Sequence, residues 1–363
     1  MNEKKYSVID LFCGCGGFSK GFQQAGYDIK LGIDLWSDAI VTYSENFSKT
    51  KVINADIKDI DYNQIYTLLK LDKNEIDVII GGPPCQGFSI SGKRMIDDPR
   101  NILYQSFVRL VGELKPKAFV MENVPGLIKL FDGCVKEKII SDFTKLGYNV
   151  NYRILSASDY GVPQNRNRVF FVGLGKEYFK NNQFFNFPKP TTEKQPITCE
   201  EAISDLDFVP DDVSVGETIN YQILPQNDYQ KKMRINSDFI LNHSITLHMQ
   251  KTKDIVSKVP DGGNYKDLPL ELQNTRNVHI AWTRMNSKKP CFTIDTGHNH
   301  HFHYRANRVP TVRESARIQS FPDDFKFIGK KTSQLKQVGN AVPPLLSEAI
   351  AKSLMKTLRD NNV

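Results

Sequence analysis

The stretch YSVIDLFCGCGGFSKGFQQA, residues 6–25, decides the fold. Tyr6 to Phe12 is a largely apolar run of strand length, Gly14 to Gly17 supplies a glycine turn, and Phe18 to about Ala25 reads as a helix. A strand, a glycine turn and a helix in that order let a ligand approach the backbone at the positive end of the helix, as in dinucleotide folds. The spacing from Gly14 to Gly21, G-x-G-G-x-x-x-G, differs from G-x-G-x-x-G and specifies no diphosphate.

Strand-like runs recur downstream. Ile29 to Ile33 ends in Asp34, about 20 residues past the first glycine, where an acidic residue in such folds accepts from ribose hydroxyls. Lys51 to Ile57 carries Asp56 near its end, placed to accept from an exocyclic amine. Either aspartate also fits a helix N-cap or a solvated loop. Ile76 to Ile80, Ala118 to Met121, Tyr148 to Leu155 and Arg168 to Leu174 complete the series. Ligands of parallel sheets sit at the carboxyl ends of strands, so the recurrence of acidic residues there predicts a doubly wound α/β sheet with a ligand crevice.

The run ending at Ile80 opens into GGPPCQGFS, residues 81–89. Paired glycines leave room at the backbone and two prolines fix φ, so Cys85 leaves the strand on a stiffened turn. Two readings fit: a positioned nucleophile, or a small apolar side chain packed at a strand end. The next run delivers Glu122 and Asn123 to the same edge. A carboxyl group beside an apolar strand can keep its proton through desolvation and donate it; the other reading is a structural carboxylate bonded to backbone amides. Arg166 and Arg168 alternate at the entry to the last run and so point to one face. They form a cationic shelf for a phosphate or a base oxygen, or an ordinary solvated pair.

Composition narrows the class. With 363 residues, 40% hydrophobic and 25% charged, the chain is globular and long enough for one large domain and a smaller one. A net charge of +7 permits a nucleic acid partner. The N-terminus lacks the pattern of a signal peptide and no run approaches the ~18 apolar residues of a membrane span, so a cytoplasmic protein without membrane contact is expected. The six cysteines, at 13, 15, 85, 134, 199 and 291, have no paired ligand spacing, and neither a disulfide framework nor a metal site is expected.

Taken together, DLFCGCGGF (10–18), GGPPCQGFS (81–89), MENV (121–124), QNRNR (164–168), RVPTVRESARIQSFPDDF (308–325) and QVGNAVPP (337–344) resemble the ordered motifs of the DNA (cytosine-5)-methyltransferases of bacterial restriction-modification systems. The match covers residues 1 to about 175 and about 305 to 363. The resemblance implies an S-adenosylmethionine-dependent, Rossmann-like catalytic domain and a smaller target-recognition domain. It implies methyl transfer to C5 of a cytosine rotated out of duplex DNA, through a covalent adduct between Cys85 and C6, with S-adenosylhomocysteine as product. Catalytic roles then fall to Cys85, Glu122, Asn123, Arg166 and Arg168. Glu122, protonated, would bond the base at N3 and Arg168 its oxygen. Cofactor positions are Phe12, Cys13, Gly14, Cys15, Gly17, Asp34, Leu35, Asp56, Ile57, Gly82, Pro84, Leu103, Asn340 and Ala341. Leu35 stands where the family often has an aromatic residue. The resemblance further implies a monomer acting on DNA in a bacterial cytoplasm, and a cognate restriction endonuclease as partner.

Three divisions of the chain follow: 1–185 catalytic, 186–327 target recognition and hinge, and 328–363 returning to the catalytic domain. Short apolar runs in the middle part alternate with polar ones. Ser89, Lys93, Arg94, Gln164, Arg276, Arg284 and Arg305 are the DNA-contact candidates, with Lys288 and Lys289 as further cations. His298 to His303 cluster without a cysteine or carboxylate at ligand spacing, which favours a loop-packing or DNA-facing role over metal. After Pro343-Pro344, Leu346, Ile350, Leu354 and Leu358 recur at helical spacing and need a core.

Three rival readings differ in class. An RNA methyltransferase shares the nucleophile and is echoed by Cys291-Phe292-Thr293, but IDTGHNHHF does not extend the echo. A catalytically dead DNA-binding regulator would lack Cys85 or Glu122, and both are present. A nicotinamide oxidoreductase needs the diphosphate turn that is missing here.

Overall fold

A computed structural model describes residues 5–71, 75–84, 102–180, 182–206, 218–275, 282–294 and 301–363. The chain divides into two compact units, the first made of residues 1–156, 167–189 and 346–363, the second of 157–166 and 190–345. Residues 328–345, expected with the returning segment, belong to the second unit.

The first unit is built on β1 (Ser7–Leu11), α1 (Gly17–Gln24), β2 (Asp28–Asp34), α2 (Ser37–Asn46), β3 (Lys51–Asn54), α3 (Tyr62–Leu69), β4 (Val78–Gly81), α4 (Ile102–Leu114), β5 (Ala118–Asn123), α5 (Cys134–Lys145), β6 (Tyr148–Ser156) and β7 (Asn167–Gly175). Its seven-stranded sheet has the order β3-β2-β1-β4-β5-β7-β6. The pairs from β3 to β5 are parallel, and β7 runs antiparallel to both β5 and β6. Each expected strand is present, and the α/β class follows from the alternation of strands with helices. Val8, Ile9 and Leu11 of β1 and Val78, Ile79 and Ile80 of β4 are fully buried, as both faces of a covered parallel sheet require. The strand order reverses between β1 and β4, which opens a crevice at their carboxyl ends.

The second unit contains α6 (Cys199–Ile203), β8 (Thr218–Asn220), α7 (Asp228–Met233), β9 (Phe239–Leu241), α8 (Gln250–Val256), α9 (Leu270–Gln273), β10 (Thr283–Arg284), β11 (His301–Phe302), α10 (Val312–Ile318) and α11 (Lys331–Asn340). Its short strands pair as β8-β9 and β10-β11. Ile255, Val256, Val259, Leu268, Trp282, Phe302 and Val309 form one of its apolar clusters.

The last helix, α12 (Pro344–Asp360), starts at the expected prolines and buries Leu346, Ile350, Leu354 and Leu358 completely. Within the first unit it lies on α1: Ser347 Oγ donates to Phe18 O (2.7 Å) and Tyr27 donates its hydroxyl proton to Ala351 O (3.1 Å). Gly21 permits this approach, because a Cβ there would stand 2.4 Å from Ser347 Cβ and 2.5 Å from Glu348 N. Gly21→Val is therefore expected to destabilise the protein by about 1–3 kcal/mol, the usual cost of overpacking, read as a lower denaturant midpoint in equilibrium unfolding.

Candidate functional site

Strand register brings the expected residues level. Leu11 pairs with both Ile33 and Gly81, and Gly81 with Met121, so the residues that follow, Phe12, Asp34, Gly82 and Glu122, leave neighbouring strands along one edge of the first unit. Phe12 has φ 63, a left-handed backbone that a bulky residue adopts only where its surroundings enforce it. Beyond it the Cys13 N–H bonds to Ile33 O (3.1 Å), and Gly16 N–H to Cys13 O (2.9 Å). Gly14, with φ 52, donates its N–H to Asp34 Oδ2 (2.8 Å), while Asp34 Oδ1 accepts from Trp36 N–H (2.8 Å). Asp34 thus braces the turn. Burial pushes its carboxyl up, opposed by the bonds from Trp36 and Gly14. A Cβ on Gly14 would meet nothing within 4 Å, so this part of the turn faces open space. One on Gly16 would strike the Phe47 ring at 2.4 Å.

The remaining cofactor candidates of this unit differ in their surroundings. Asp56 caps a short 3-10 turn, accepting from Lys58 N–H (3.1 Å) and pairing with Lys58 Nζ (3.0 Å). Ile57 is in the core, Leu103 packs partly buried against it in the first turn of α4, and Leu35 is exposed at 65%. Gly17 opens α1 and is buried. Cys13 and Cys15 are also buried, and burial raises both thiols, Cys15 to about 12, so neither supplies a thiolate at neutral pH.

Sequence reasoning overlooked Asp10 beneath the turn. Its Oδ2 accepts from Ser19 Oγ (2.6 Å), which in turn lies 2.7 Å from the Tyr43 hydroxyl. Asp10 Oδ1 is buried without a hydrogen-bond partner among the described residues, and burial pushes the carboxyl up to about 8. The available signal was a carboxylate inside an otherwise apolar strand.

At β4 and β5 the geometry is tight. A Cβ on Gly81 would stand 2.2 Å from Leu11 O, and one on Gly82 would stand 3.2 Å from Glu122 Oε2. The room that paired glycines leave is thus occupied largely by neighbouring strands. Asn123 Nδ2 donates to Pro83 O (2.9 Å) and its Oδ1 accepts from Val124 N–H (2.9 Å), so the side chain ties the end of β5 to the proline turn. Pro84 is exposed, and Cys85, next in sequence, lies outside the described residues. Arg168 Nε bonds to Glu122 Oε1 at 2.8 Å, with both side chains largely buried, and its Nη1 donates to Asn167 O (2.7 Å). The two residues expected to act on one base are therefore in contact.

Arg166 is in the second unit and buried, so it is not a solvated cation. Asn340 ends α11, exposed, and Ala341 follows it. Of the DNA-contact candidates, Ser89, Lys93, Arg94 and Arg276 lie outside the described residues. Two others are corrected by burial. Arg284 directs its guanidinium to the carbonyls of Val256, His303, Tyr304 and Ala306 and to Asn307 Oδ1, which makes it a clamp on that loop. Gln164 is fully buried and accepts from Ile294 N–H (3.1 Å), so its amide is engaged inside the second unit. Arg305, Lys288 and Lys289 are exposed.

A family model for C-5 cytosine-specific DNA methylases matches residues 6–356. The chain belongs to that family. It is 40% identical to the type II methyltransferase M.DdeI of Desulfomicrobium norvegicum, over 98% of this chain and 92% of the relative. Identity to the type II methyltransferase M1.HphI of Haemophilus parahaemolyticus is 38%, covering 96% and 87% respectively. A crystal structure of an E. coli prophage-encoded protein, described as a DNA modification methyltransferase, superposes with TM-score 0.81 at 30% identity, over 98% of this chain and 100% of that one. The Dnmt2 methyltransferase of S. pombe shares the fold, with TM-score 0.60 at 16% identity over 99% and 100%.

Membership makes this an enzyme, a C-5 cytosine-specific DNA methyltransferase with a methyl donor and a DNA substrate. In this methylase the motif at 308–325 proves to be a buried charge scaffold. Thr311 and Glu314 form a capping box, and Arg308 holds both Glu314 oxygens at 2.7 Å. Burial alone would raise the Glu314 carboxyl, but Arg308 outweighs it and the group sits below the usual carboxylate range. Arg317 joins Asp205 (3.0 Å) to Asp323 (2.6 Å). The T-x-x-E spacing at Thr311 to Glu314 was the legible signal.

Two histidines complete the scaffold as neutral groups. His243 Nε2 lies 2.8 Å from Leu206 O, which can only accept, so Nδ1 receives the Thr311 hydroxyl proton at 2.9 Å. His303 Nδ1 accepts from the N–H groups of Arg305 and Ala306, each at 3.0 Å. His301 packs its ring on Phe292, 4.0 Å between centroids, and His298 to His300 lie outside the described residues. Burial pushes His243 down to about 4 and His303 to about 3. Unfolding returns each imidazole to a pKa of about 6.5, so the unfolded chain binds more protons between these limits. The histidine contribution is then complete above about pH 6.5 and falls on acidification, by about 2 kcal/mol per histidine at pH 5. Because the raised Asp10 carboxyl pulls the total the other way over the same window, the decline is read as the difference between wild type and His243→Gln in denaturant titrations at pH 7, 6 and 5; a difference that does not change with pH would contradict the neutral assignment.

Proposed function

We propose that this methylase transfers a methyl group from S-adenosylmethionine to C5 of a cytosine in a specific duplex DNA sequence, with the base rotated out of the helix and held by Cys85. The observation that carries the reading is the 2.8 Å contact between Arg168 and Glu122 at the level of Gly82, directly before the proline turn. S-adenosylmethionine, when bound, supplies an electrophilic methyl group and leaves as S-adenosylhomocysteine.

The residues of the turn suit that cofactor. Open space at Gly14, the acidic Asp34 and Asp10 Oδ1, which has no hydrogen-bond partner among the described residues, match a ligand with a ribose and an ammonium group. Phe12, Cys13, Cys15, Gly17, Leu35, Asp56, Ile57, Gly82, Pro84 and Leu103 are the other positions assigned to it here, and family likeness adds Asn340 and Ala341.

Cytosine C5 is a poor nucleophile until C6 is attacked, which is why a thiol is needed. The Cys85 thiolate forms a bond to C6, and the displaced electron pair moves toward C5 and N3. Glu122 accepts from Arg168 at Oε1 and, in the protonated form that the bound base selects, donates from Oε2 to N3, while Arg168 stabilises charge on the base oxygen and holds Glu122 in place. Asn123 fixes the turn from which Cys85 springs through Pro83 O, and Arg166 lends a buried cation. After methylation a solvent molecule accepts the C5 proton, the C5–H electron pair forms the C5=C6 bond, Cys85 leaves C6 as thiolate, and N3 returns its proton to Glu122, which restores the ring. A base stacked in a duplex cannot present C6 to a thiol, so the cytosine must leave the stack.

The names of the relatives, type II methyltransferases, support a cognate restriction endonuclease and a bacterial cytoplasmic setting; action as a monomer is proposed on family likeness alone. Labelled methyl transfer to duplex DNA is expected from the wild type and should fall to background in Cys85→Ser. Arg168→Ala should lower kcat by about 10²–10³-fold, as loss of one charge-stabilising donor does. Undiminished turnover by Cys85→Ser rejects the adduct, and transfer to RNA alone rejects the substrate.

A further inference from the structure

The buried glutamines of the second unit form a directed chain. Ile294 N–H donates to Gln164 Oε1 (3.1 Å), Gln164 Nε2 donates to Gln319 Oε1, and Gln319 Nε2 donates to Ala341 O (2.6 Å). Both side chains are fully buried. An amide viewed alone can be turned either way, but here each end of the chain is a backbone group with a fixed role. Ile294 N–H can only donate and Ala341 O can only accept, so both amides have one orientation that satisfies every partner.

The neighbouring contacts point to what this chain holds. Gln319 caps α10, and the next residue, Ser320, has φ 65 and accepts from Leu345 N–H through its hydroxyl (3.1 Å). Two successive side chains thus grip the segment after α11 at Ala341 and at Leu345. Ala341 is also the residue after Asn340, and its own N–H turns back to Val338 O (3.3 Å). At the other end, Gln164 sits in the same short segment as Asn165, whose N–H bonds to Cys291 O (2.7 Å). One amide pair therefore connects the strand-like stretch 291–294, the segment that leads into Arg166, and the peptide after Asn340.

We infer that Gln164 and Gln319 are positioning residues for the cofactor: they act in series to fix the Asn340–Ala341 peptide, with Gln164 setting the amide of Gln319 and Gln319 holding Ala341 O. The inference rests on the assignment of Asn340 and Ala341 to S-adenosylmethionine made above. Series action gives it a signature. If Gln164 works through Gln319, removing it matters only while Gln319 is present.

The test is calorimetric binding of S-adenosyl-L-homocysteine to the full-length protein and to Gln319→Met, Gln164→Met, the double variant and Asn340→Ala, with unfolding midpoints measured alongside to establish folding. Gln319→Met and Gln164→Met are each expected to weaken binding about five- to tenfold, the range for loss of one buried neutral hydrogen bond. The double variant should bind no more weakly than Gln319→Met, a non-additivity expected of coupled residues. The KM for S-adenosylmethionine should rise more than kcat falls. Gln319→Glu, equal in size but presenting a carboxylate oxygen to Ala341 O, should fold and bind at least as weakly as Gln319→Met. Wild-type binding by folded Gln319→Met or Gln319→Glu, with Asn340→Ala weakened, overturns the relay alone. Additive losses in the double variant also overturn it. Unchanged binding by Asn340→Ala overturns the cofactor assignment, and the inference with it.

Discussion

The site depends on the register between β5 and β7. Glu122 stands opposite Phe170 across this antiparallel pair, which makes Arg168, two residues earlier, its diagonal neighbour on the same face. A carboxylate and a guanidinium in that relation reach each other at 2.8 Å without distorting either strand. A slip of one residue would turn Arg168 to the opposite face and leave Glu122 beside an apolar side chain. Buried apolar residues on both faces of β7, from Val169 to Val172, oppose such a slip only weakly, since either register buries them. The ion pair and the Asn123 link to Pro83 supply polar contacts that distinguish the registers.

The same economy governs the glycines. Those at 81 and 82 look in sequence like openings for a ligand, yet Leu11 O and Glu122 Oε2 occupy most of that space. Within the turn after β1, Gly14 is left-handed and a side chain on it would meet nothing, whereas one on Gly16 would strike the Phe47 ring. The turn is therefore closely packed at Gly16 and open at the point facing the proposed ligand. Asp34 enforces this by spending both oxygens on backbone donors, so any ribose contact must use lone pairs not taken by Gly14 and Trp36.

Much of this was legible in the chain. Apolar runs of strand length located the seven strands of the first unit's sheet, most plainly β1 and β4, whose residues are buried on both faces and leave an unbroken signature. Leu346, Ile350, Leu354 and Leu358 marked α12 by period alone. What escaped was the difference between a polar residue facing solvent and one satisfied inside. Gln164 and Arg284 stand in polar surroundings in sequence, and only the fold supplies the carbonyls and amides that bury them. Asp10 escaped for the opposite reason, its apolar neighbours being read as a strand and its carboxylate passed over. The direction of β7 was equally hidden, since a run of apolar residues has no arrow.

The contact between α1 and α12 has a temporal side. Phe18 and Ser347 are separated by 329 residues, and the face of α1 made by Gly21 finds its partner only when the end of the chain is made. At about 5–20 residues per second of synthesis, the first helix waits on the order of half a minute for its neighbour. Through that interval the face of α1 around Gly21 lacks the neighbour that the finished fold brings within van der Waals reach of it. The oldest part of the newborn enzyme is thus the last to be finished.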